Sequence, residues 1–423
     1  MKILWFSNTP CSASGKLLGA SYTKGGWLSS LEGALANIED IQLSVAFYWV
    51  KRLAPFKYKN TFYYPVLRSG CSTVGGRLLN KYLNRSDDAE EIKRLLFIVD
   101  EVQPDVIHIH GTEDNYGLIQ AHTRIPVVVS IQGILNAIAL KYFSGIPYSV
   151  VQKYEGLSPK LKASSVKRLY AGVKNNAERE RMILSMSRNI IGRTLWDRRI
   201  TRVLAPQSEY FVVQEMLRPL FFGKEWKKRE FFQPLRLVST LGPGFYKGLE
   251  TVVRTAQILK NTKRVDFEWV LPGLEASNAI VKMVKRWLGV DYERIGIRFV
   301  GSKSAPELVD MLVTSDIYVQ TSHIENSPNS LCEAMLIGMP CIASFVGGTD
   351  SLLTDGEEGL LVQDGDPYAL AGAIFQLYND FEMAAGYAAN ARRRALIRHD
   401  ETEILQSTLH VYKQLLATSL PGL

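Results

Sequence analysis

The feature that most constrains this chain is an alternation of short apolar runs with helix-length amphipathic segments, which occurs twice. The first series starts with KILWFSN and continues through IQLSVAFYW, DVIHIH and IPVVVSIQG. The second starts with LRLVSTLG and continues through VDFEWVLPG, IRFVG, DIYVQTS and CIASFV. Continuous apolar runs are typical of strands buried on both faces of a parallel sheet. Because helices of ten or more residues separate them, the pattern predicts a doubly wound α/β fold, formed twice.

The length of the chain also indicates two domains, since 423 residues exceed what one ordinary core accommodates. The periodic pattern breaks at FFGKEWKKREFFQP, where a charge cluster lies between Gly223 and Pro234. We therefore predict an N-terminal domain over residues 1–222 and a C-terminal domain over residues 223–423. The end of the second domain, from Asp380 to Ala417, has a helical pattern.

Composition excludes several classes of protein. The hydrophobic share of 46% and the charged share of 22% are typical of soluble globular proteins rather than disordered or fibrous ones. No window approaches the ~18 to 20 apolar residues of a membrane span, and the first apolar run is too short for a signal peptide. The cysteines lack CxxC spacing, which favours buried thiols and a reducing, cytosolic location. These are Cys11, Cys71, Cys332 and Cys341.

The formal net charge of +8 leaves several anionic partners open. Basic residues concentrate on helically spaced sequence from Val151 to Met186, which predicts one or two amphipathic helices with a basic face. The ordinary interpretation of such a face is a solvated surface, and the alternative is docking to phosphate groups or anionic lipid. A nucleic-acid binder is disfavoured because no binding module is recognisable.

One segment, DIYVQTSHIENSPNSLCEAMLIGMPCIASFVGGTD, writes out a complete strand, loop, helix and strand. The strand ends near Ser322. Ser327 is predicted to cap the helix with Pro328 at its first position, and Gly338 followed by Pro340 ends it. Ligands of open parallel sheets bind beyond the carboxyl ends of strands, where helix N-termini present free N–H groups. This turn is therefore a candidate site for a diphosphate or a sugar.

Two acids flank that turn. Glu325 precedes the helix, and Glu333 lies six residues past Ser327, about 9 Å along the helix axis at ~1.5 Å per residue. An ionised carboxylate accepts hydrogen bonds from two adjacent hydroxyls, so one acid can bind a hexose and the other a ribose. Taken singly, each glutamate is equally compatible with an ordinary loop acid or a helix-surface acid.

The run ENSPNSLCEAMLIGMP resembles the hallmark of glycosyltransferase family 4, in which two glutamates separated by seven residues precede AM, G and P. The later Gly347–Gly348 turn and the run DGEEGLLV from Asp355 also match the family. The resemblance implies a GT-B architecture of two Rossmann-like domains facing a cleft. It further implies that transfer retains the configuration of the donor sugar.

The resemblance assigns roles to these residues. Glu325 is expected to contact hydroxyls of the transferred sugar, and Glu333 the ribose hydroxyls. The turn is expected to bind sugar and diphosphate oxygens through its backbone; it comprises Ser327, Pro328, Asn329 and Ser330. Asp350 stands where the family more often has glutamate, with unknown effect.

A second matching segment is STLGPGFYKGLETVV, in which Lys247 matches the family lysine that neutralises the leaving diphosphate. The arginine that usually accompanies it is missing, because Gly242 is followed by Pro243. Another cation must contribute, or charge stabilisation depends on Lys247 and the helix N-terminus. The alternative is that Lys247 is an ordinary surface lysine before a helix.

The first loop of the chain is rich in glycine and serine and opens a helix at Gly25, Gly26 and Trp27. In the family this glycine pair lies against the donor phosphate and the acceptor. The loop is not a GxGxxG fingerprint, so a dinucleotide dehydrogenase is not indicated.

Two histidines share one side of the strand DVIHIH, and we favour His110, nearer its end, over His108 as an active-site residue. The alternative is a structural histidine. Where the family has a histidine after the next strand, this chain has Gln132, which binds hydroxyls but cannot act as a base. The family's departing phosphate can accept the proton instead.

Two further segments carry weaker predictions. NIIGRTLWDRRIT resembles bacterial surface-polysaccharide members of the family, and its Arg193 and Trp196 could bind an anionic oxygen and a sugar ring. Equally, Arg193 could pair with Asp197 under Trp196. Asp364 and Asp366 in DGD are interpreted as a turn and a helix cap rather than a metal site.

Together these observations predict a metal-independent retaining glycosyltransferase that uses a UDP- or GDP-linked hexose as donor and needs no cofactor. The C-terminal domain would bind the donor and the N-terminal domain a glycan or lipid-linked oligosaccharide, as in capsule or O-antigen synthesis. We expect a cytoplasmic protein, in peripheral contact with the inner membrane face if the basic helices dock there. The last helix, about 400–423, is expected to cross back to the first domain. The alternatives are a non-catalytic nucleotide-sugar-binding subunit, or a hydrolase or epimerase on the same fold.

Overall fold

A computed structural model describes residues 1–18, 26–68, 88–156 and 165–419. Contacts within these ranges divide the chain into two compact units. The first unit comprises Met1–Ala139, Ser158–Met216 and Asp400–Leu423, and the second comprises Leu140–Leu157 and Leu217–His399.

The strands of the first unit form one sheet with the order β3-β4-β2-β1-β5-β6-β7-β8 in its described part. The strands are β1 (Lys2–Ser7), β2 (Gln42–Trp49), β3 (Phe56–Tyr58), β4 (Thr61–Leu67), β5 (Val106–His110), β6 (Val127–Ser130), β7 (Asn189–Gly192) and β8 (Glu209–Val212). Neighbouring strands are parallel except for the antiparallel pair of β3 and β4. The apolar run predicted for β1 is completely buried between two helical layers, from Ile3 to Phe6.

The described helices of the first unit cover both faces of its sheet. They are α1 (Ser14–Leu18), α2 (Gly26–Ala36), α3 (Asp88–Val102), α4 (Leu135–Lys141, whose last two residues group with the second unit), α6 (Val166–Met186), α7 (Leu195–Leu204) and α14 (Glu401–Ser419). Helix α14 packs on the central strands, where the Tyr412 hydroxyl accepts a hydrogen bond from Trp5 Nε1 at 3.0 Å.

The second unit contains an all-parallel sheet with the order β11-β10-β9-β12-β13-β14 among its described strands. Its strands are β9 (Leu235–Val238), β10 (Phe267–Pro272), β11 (Ile297–Gly301), β12 (Ile317–Gln320), β13 (Cys341–Ser344) and β14 (Leu360–Val362). The order reverses between β9 and β12. Such a reversal opens a crevice at the carboxyl ends of the two strands, which is where open α/β sheets bind ligands.

Helices also flank this second sheet. Those described are α5 (Tyr148–Tyr154), α8 (Leu249–Thr262), α9 (Ala279–Leu288), α10 (Ala305–Thr314), α11 (Asn329–Ile337), α12 (Pro367–Asn379) and α13 (Phe381–Arg398). The two units thus confirm the predicted α/β class with two Rossmann-like parallel sheets.

The sequence pattern did not predict the hairpin formed by β3 and β4. Strand β3 is only three residues long, from Phe56 to Tyr58, and the chain turns at Lys59 with a φ of 53°. A strand this short carries too few residues for an alternation of apolar and polar side chains to be recognised.

The division between the units lies at Met216 and Leu217, a few residues before the boundary proposed from the sequence. The charge cluster that suggested a linker surrounds Trp226, which is buried in the core of the second unit. The Trp226 indole donates to the Ser315 carbonyl at 2.9 Å, and its amide donates to the Ile337 carbonyl at 2.8 Å. The charged residues therefore belong to a segment that packs into the second unit through Trp226, and not to a linker.

The prediction of buried thiols is confirmed for Cys11, Cys332 and Cys341, which are free and buried. Cys71 lies outside the described residues. Among the helices that the structure describes, none is both long enough and apolar enough to span a membrane.

Candidate active site

The switch point of the second sheet brings together two residues that the sequence singled out. Lys247 follows β9 at the end of a short 3₁₀ turn, and Glu325 follows β12. Lys247 Nζ lies 2.5 Å from Glu325 Oε1, and both side chains remain partly exposed, at 27% and 16%. Burial opposes the charge of Lys247, yet the Glu325 carboxylate outweighs it and raises the pKa of the ammonium. A permanently charged cation thus lies at the carboxyl edge of the sheet.

Backbone contacts hold the two loops together. Gly248 has a φ of 78°, and a Cβ there would lie 2.0 Å from the Thr321 carbonyl oxygen, so only glycine fits. The Thr321 hydroxyl donates to the Lys247 carbonyl at 3.3 Å, and the His323 amide donates to the Tyr246 carbonyl at 2.8 Å. The loop after β12 is therefore attached on both sides of Lys247.

The Gly347–Gly348 turn, which the resemblance had marked, contacts the backbone of Glu325. Gly347 has a φ of 53°, and a Cβ at this position would lie 1.8 Å from the Glu325 carbonyl oxygen. The Gly348 amide donates to that same oxygen at 3.0 Å. The glycine pair thus permits close contact between the two backbones, and this contact fixes the backbone position of Glu325.

Helix α11 begins one residue later than predicted. Pro328, expected at the first helical position, is the N-cap with an extended ψ of 109°, and no side chain caps this end, so Ser327 is not the cap. The amides of Leu331 and Cys332 donate to the Pro328 carbonyl. The prediction was wrong because the proline carbonyl starts the helix while its own backbone stays extended.

The start of α11 contains an acceptor atom without a partner. Asn329 Oδ1 is buried and makes no hydrogen bond with the residues that the structure describes. A buried carbonyl-type oxygen left unpaired is costly. The hydroxyl of a bound ligand could satisfy it, next to the half-buried Ser330.

Glu333 faces inward from α11 and is only 5% exposed. Arg218 contacts its Oε1 through Nε at 2.8 Å and Nη2 at 2.7 Å, which leaves Oε2 outside this pair. Burial raises the pKa of Glu333 to about 6, against the lowering effect of Arg218. Arg218 was missed by the sequence analysis, because 115 residues separate it from its partner.

Asp364 has a different role from the one predicted, whereas Asp366 has the predicted one. Asp366 caps α12 by accepting from the amides of Tyr368 and Ala369. Asp364 instead lies 2.5 Å from Nδ1 of His323, whose Nε2 lies 2.6 Å from Glu250. Asp364 is therefore more than a turn residue, because it pairs with a ring on the loop that carries Glu325.

Aromatic side chains place the segment 140–156 beside Lys247. The ring centroid of Tyr142 lies 5.7 Å from that of Phe245 and 6.3 Å from that of Tyr246, and Phe143 lies 5.6 Å from Phe245. The sequence analysis had assigned this segment to the first domain. Contacts between residues about one hundred positions apart are not visible in local periodicity.

Residues 236–380 match the model of the family described as Glycosyl transferases group 1. This range contains Lys247, Glu325 and Glu333. Among curated proteins, an amylovoran biosynthesis glycosyltransferase of Erwinia amylovora is 27% identical over 189 residues, which is 43% of this chain and 45% of that protein. A D-inositol 3-phosphate glycosyltransferase of Corynebacterium urealyticum is 27% identical over 143 residues, or 34% and 32% of the two chains. The chain thus spans less than half the length of these relatives.

Solved structures resemble nearly the whole chain. A sucrose-phosphate synthase from Thermosynechococcus elongatus superposes with a TM-score of 0.71 at 17% identity, covering 99% of this chain and 100% of the other. The Anabaena protein HepE, solved in complex with UDP and glucose, gives 0.60 at 16% identity over 98% and 99%. The protein has a GT-B fold.

The first unit of this GT-B fold contains the remaining predicted residues. Gly26 is the first residue of α2, while Gly25 lies outside the described residues. His110 is completely buried, with its ring centroid 4.3 Å from that of Trp5. Neither of its ring nitrogens has a partner among the described residues, and burial lowers its pKa well below the ordinary value. A catalytic role for His110 stays a prediction, now for a neutral and buried imidazole.

Arg193 and Asp197 are in contact, since the Arg193 backbone amide donates to Asp197 Oδ2 at 3.0 Å. The anion-binding role considered for Arg193 stays a prediction. Asp197 forms a capping box with Thr194 at the start of α7. The Arg193 guanidinium lies 4.2 Å from the ring centroid of Trp27 and 3.7 Å from Glu215, so its charge is shared with an aromatic face and an acid. Trp196 packs in an apolar cluster of the same GT-B unit.

Proposed function

We propose that the protein is a glycosyltransferase whose second unit binds a nucleotide-sugar donor. The observation that carries the proposal is the ion pair of Lys247 and Glu325 at the switch point of the second sheet. Beside it lies the N-terminus of α11, which carries Glu333. The match to Glycosyl transferases group 1 over residues 236–380 supports the same chemistry.

In this proposal Lys247 stabilises the diphosphate as it leaves. Cleavage of the bond between the anomeric carbon and the phosphate oxygen moves negative charge onto that oxygen. A cation already in place stabilises the developing charge without reorganisation. Glu325 keeps the ammonium charged and oriented in the free protein and contacts hydroxyls of the sugar once the diphosphate binds.

The nucleoside is bound further along α11. Glu333 accepts hydrogen bonds from the ribose hydroxyls through the oxygen that Arg218 leaves unoccupied. Arg218 counteracts the effect of burial and so favours the ionised form, which is the better acceptor. The structurally similar HepE was solved with UDP and glucose bound, which is consistent with a UDP-linked donor for this fold.

We further propose that transfer retains the donor configuration and needs no metal. The acceptor oxygen forms its new bond on the face from which the phosphate departs, and the phosphate oxygen takes the acceptor's proton. No side-chain base is required, which accommodates Gln132 in place of a histidine. The acceptor proposed is a glycan or lipid-linked oligosaccharide of polysaccharide synthesis, as the name of the amylovoran relative suggests.

A nucleotide-sugar screen tests the proposal. Thermal stabilisation by UDP- and GDP-linked hexoses is measured first, and turnover with lipid-linked oligosaccharides second. We expect one donor to raise the melting temperature and to be consumed only when acceptor is present. If no nucleotide-sugar binds, the proposal fails.

A second candidate is a non-catalytic nucleotide-sugar-binding subunit, which the absence of an arginine at Pro243 favours. Donor binding without transfer to any acceptor of the panel would support that candidate. Consumption of the donor without acceptor would indicate a hydrolase instead.

A further inference from the structure

His323 occupies a central position in the candidate site although nothing in the proposed chemistry uses it. The ring is 2% exposed and lies between Glu250 of α8 and Asp364 of the loop after β14, at 2.6 Å and 2.5 Å. A neutral imidazole carries one proton and can donate to only one of two carboxylates. Two such short contacts to ionised carboxylates therefore require a doubly protonated ring.

The charges around the ring agree with an imidazolium. Glu250 is also 2% exposed, and its Oε2 has no hydrogen-bond partner among the described residues. Lys141 lies 3.7 Å from the second oxygen of Asp364. Burial alone would lower the pKa of His323, but the bonds to Asp364 and Glu250 outweigh it and raise the value to about 9. Without the imidazolium, the buried Glu250 carboxylate would lack a counter-charge within the described structure.

His323 also connects the segments on both sides of the ion pair. It lies two residues before Glu325, and its amide bonds to the residue before Lys247. Glu250 belongs to the first turn of the helix that follows Lys247. On the open side of the ring, a Cβ at Gly145 would lie 1.9 Å from Glu250 Oε1 and 2.3 Å from His323 Nε2. The segment 140–156 thus covers the pair at Gly145.

We propose that His323 is a positioning residue that, as an imidazolium bridging Glu250 and Asp364, sets the placement of Lys247 and Glu325 for the donor diphosphate. The role acts through the loops, because the ring itself is covered by Gly145 and by Gly365, whose Cβ would lie 3.4 Å from Cε1. The groups that face it are Glu250 of α8, Asp364 after β14 and, through Asp364, Lys141 of the segment 140–156. This inference rests on the proposed function for its ligand.

The charge of the ring can be tested without any ligand. Histidine labelled with ¹⁵N reports the protonation of each ring nitrogen, and His323→Gln assigns one signal among the six histidines. We expect both nitrogens of His323 to carry protons at pH 7.5 and to titrate above pH 8. A neutral ring at pH 7.5 would overturn the proposal.

The positioning role is tested by calorimetry with UDP and with GDP at pH 7.5. His323→Gln leaves the buried Glu250 carboxylate and the partly exposed Asp364 carboxylate facing an amide. This displaces both loops, and we expect affinity to fall roughly 10- to 100-fold. Adding Glu250→Gln removes one of the unbalanced charges. The double variant should therefore bind about threefold or more tighter than His323→Gln alone, since the two side chains are coupled.

The matched control is His399→Gln, because His399 is a histidine of the same unit that is only 1% exposed. If the effect of His323→Gln were only a general loss of stability, both His323→Gln and His399→Gln would have lower melting temperatures, and both would bind the nucleotide as the parent does. The positioning role predicts weaker binding in His323→Gln alone. If His323→Gln does not fold, Glu250→Gln in the otherwise unchanged protein provides the binding comparison. A folded His323→Gln that binds UDP or GDP as tightly as the parent rejects the positioning role. If the parent binds neither nucleotide, the proposed function fails, and the donor role of His323 fails with it.

Discussion

Both sheets reverse their strand order at a central switch point, but the side chains at the two switch points differ in charge. In the second unit, the edge between β9 and β12 holds charged and partly exposed side chains, above all Lys247 and Glu325. In the first unit, the order reverses between β1 and β5, and the histidines that end β5 are buried and neutral. Topology provides a crevice at both places, but only the loops decide what ligand it fits. The second edge carries a charged pair, whereas the histidines of the first are uncharged.

The largest effect is expected from Lys247→Ala. Removing a preorganised charge donor from a developing oxyanion reduces turnover about 100- to 1000-fold, and we expect a loss of transfer of that order. Steady-state assays with the donor found in the screen measure it. Lys260→Ala, which removes a surface lysine paired with Asp266 in the same unit, is the control and should retain activity. Equal activity in both variants would show that the charge of the second edge is not used.

A smaller effect is expected from Arg218→Ala, which acts through Glu333. Without Arg218, burial would raise the pKa of Glu333 beyond its present value of about 6, so more of the carboxyl is protonated at neutral pH. Nucleotide affinity should fall roughly 10-fold at pH 7 and recover as the pH is raised.

Calorimetry between pH 6 and pH 8.5 measures whether the nucleotide affinity of Arg218→Ala depends on pH in this way. Below pH 8, where His323 keeps its charge, the parent protein should lose affinity only as the pH drops through about 6. Arg298→Ala, which breaks an exposed pair with Glu268, should follow the parent. A loss in Arg218→Ala that is the same at every pH would contradict the role assigned to Arg218.

Gly347→Ala tests whether the backbone behind Glu325 matters. A methyl group there meets the Glu325 carbonyl oxygen and stands at a left-handed φ, so we expect about 2 kcal/mol of destabilisation and weaker donor binding. Urea unfolding and calorimetry measure the two losses. Gly372→Ala is the matched control, because nothing lies within 4 Å of its Cβ and it is inside α12. That change should stabilise the protein slightly. A Gly347→Ala protein as stable as the parent would refute the close contact.

The smallest effect concerns pH and distinguishes the two edges directly. Burial lowers the pKa of His108 to about 3, so its contribution to stability is present above the unfolded value near 6.5 and declines as the pH falls towards 3. His323 has the opposite sign: its contribution is complete below about 6.5 and is lost as the pH rises through 9.

Unfolding free energies measured from pH 4 to pH 10 check this difference. Each histidine contributes a slope of at most about 1.4 kcal/mol per pH unit. His108→Gln should reduce the pH dependence of the unfolding free energy only at acid pH, and His323→Gln only at alkaline pH. If both variants reduced the pH dependence of the unfolding free energy in the same pH range, the proposed contrast between the two edges would be wrong.

Much of the candidate site could be predicted because its residues lie within short, continuous segments of the sequence. The strand, turn and helix around Glu325 and Glu333 lie within one short segment, as do Lys247 and its glycine. Only the exact start of α11 was wrong, by one residue. Local backbone preferences decide such elements, and their boundaries are the part that competing caps shift most easily.

The partners of these residues could not be predicted. Arg218 reaches Glu333 across 115 positions, and His323 reaches Glu250 across 73. Asp364 had an adequate local explanation as a turn residue, and nothing in its neighbourhood indicated a histidine 41 positions away. No period or spacing encodes pairings of this kind.

The sequence by itself determined the class of the fold, the two parallel sheets, the positions of Lys247 and Glu325 after strands, and the position of Glu333 on the helix that follows. These follow from hydrophobic periodicity and turn chemistry, which act between neighbours in the chain. Only the tertiary structure decided the state of those side chains. Whether an acid is ionised, or a histidine charged, depends on burial and on the nearest opposite charge, and distant segments supply both.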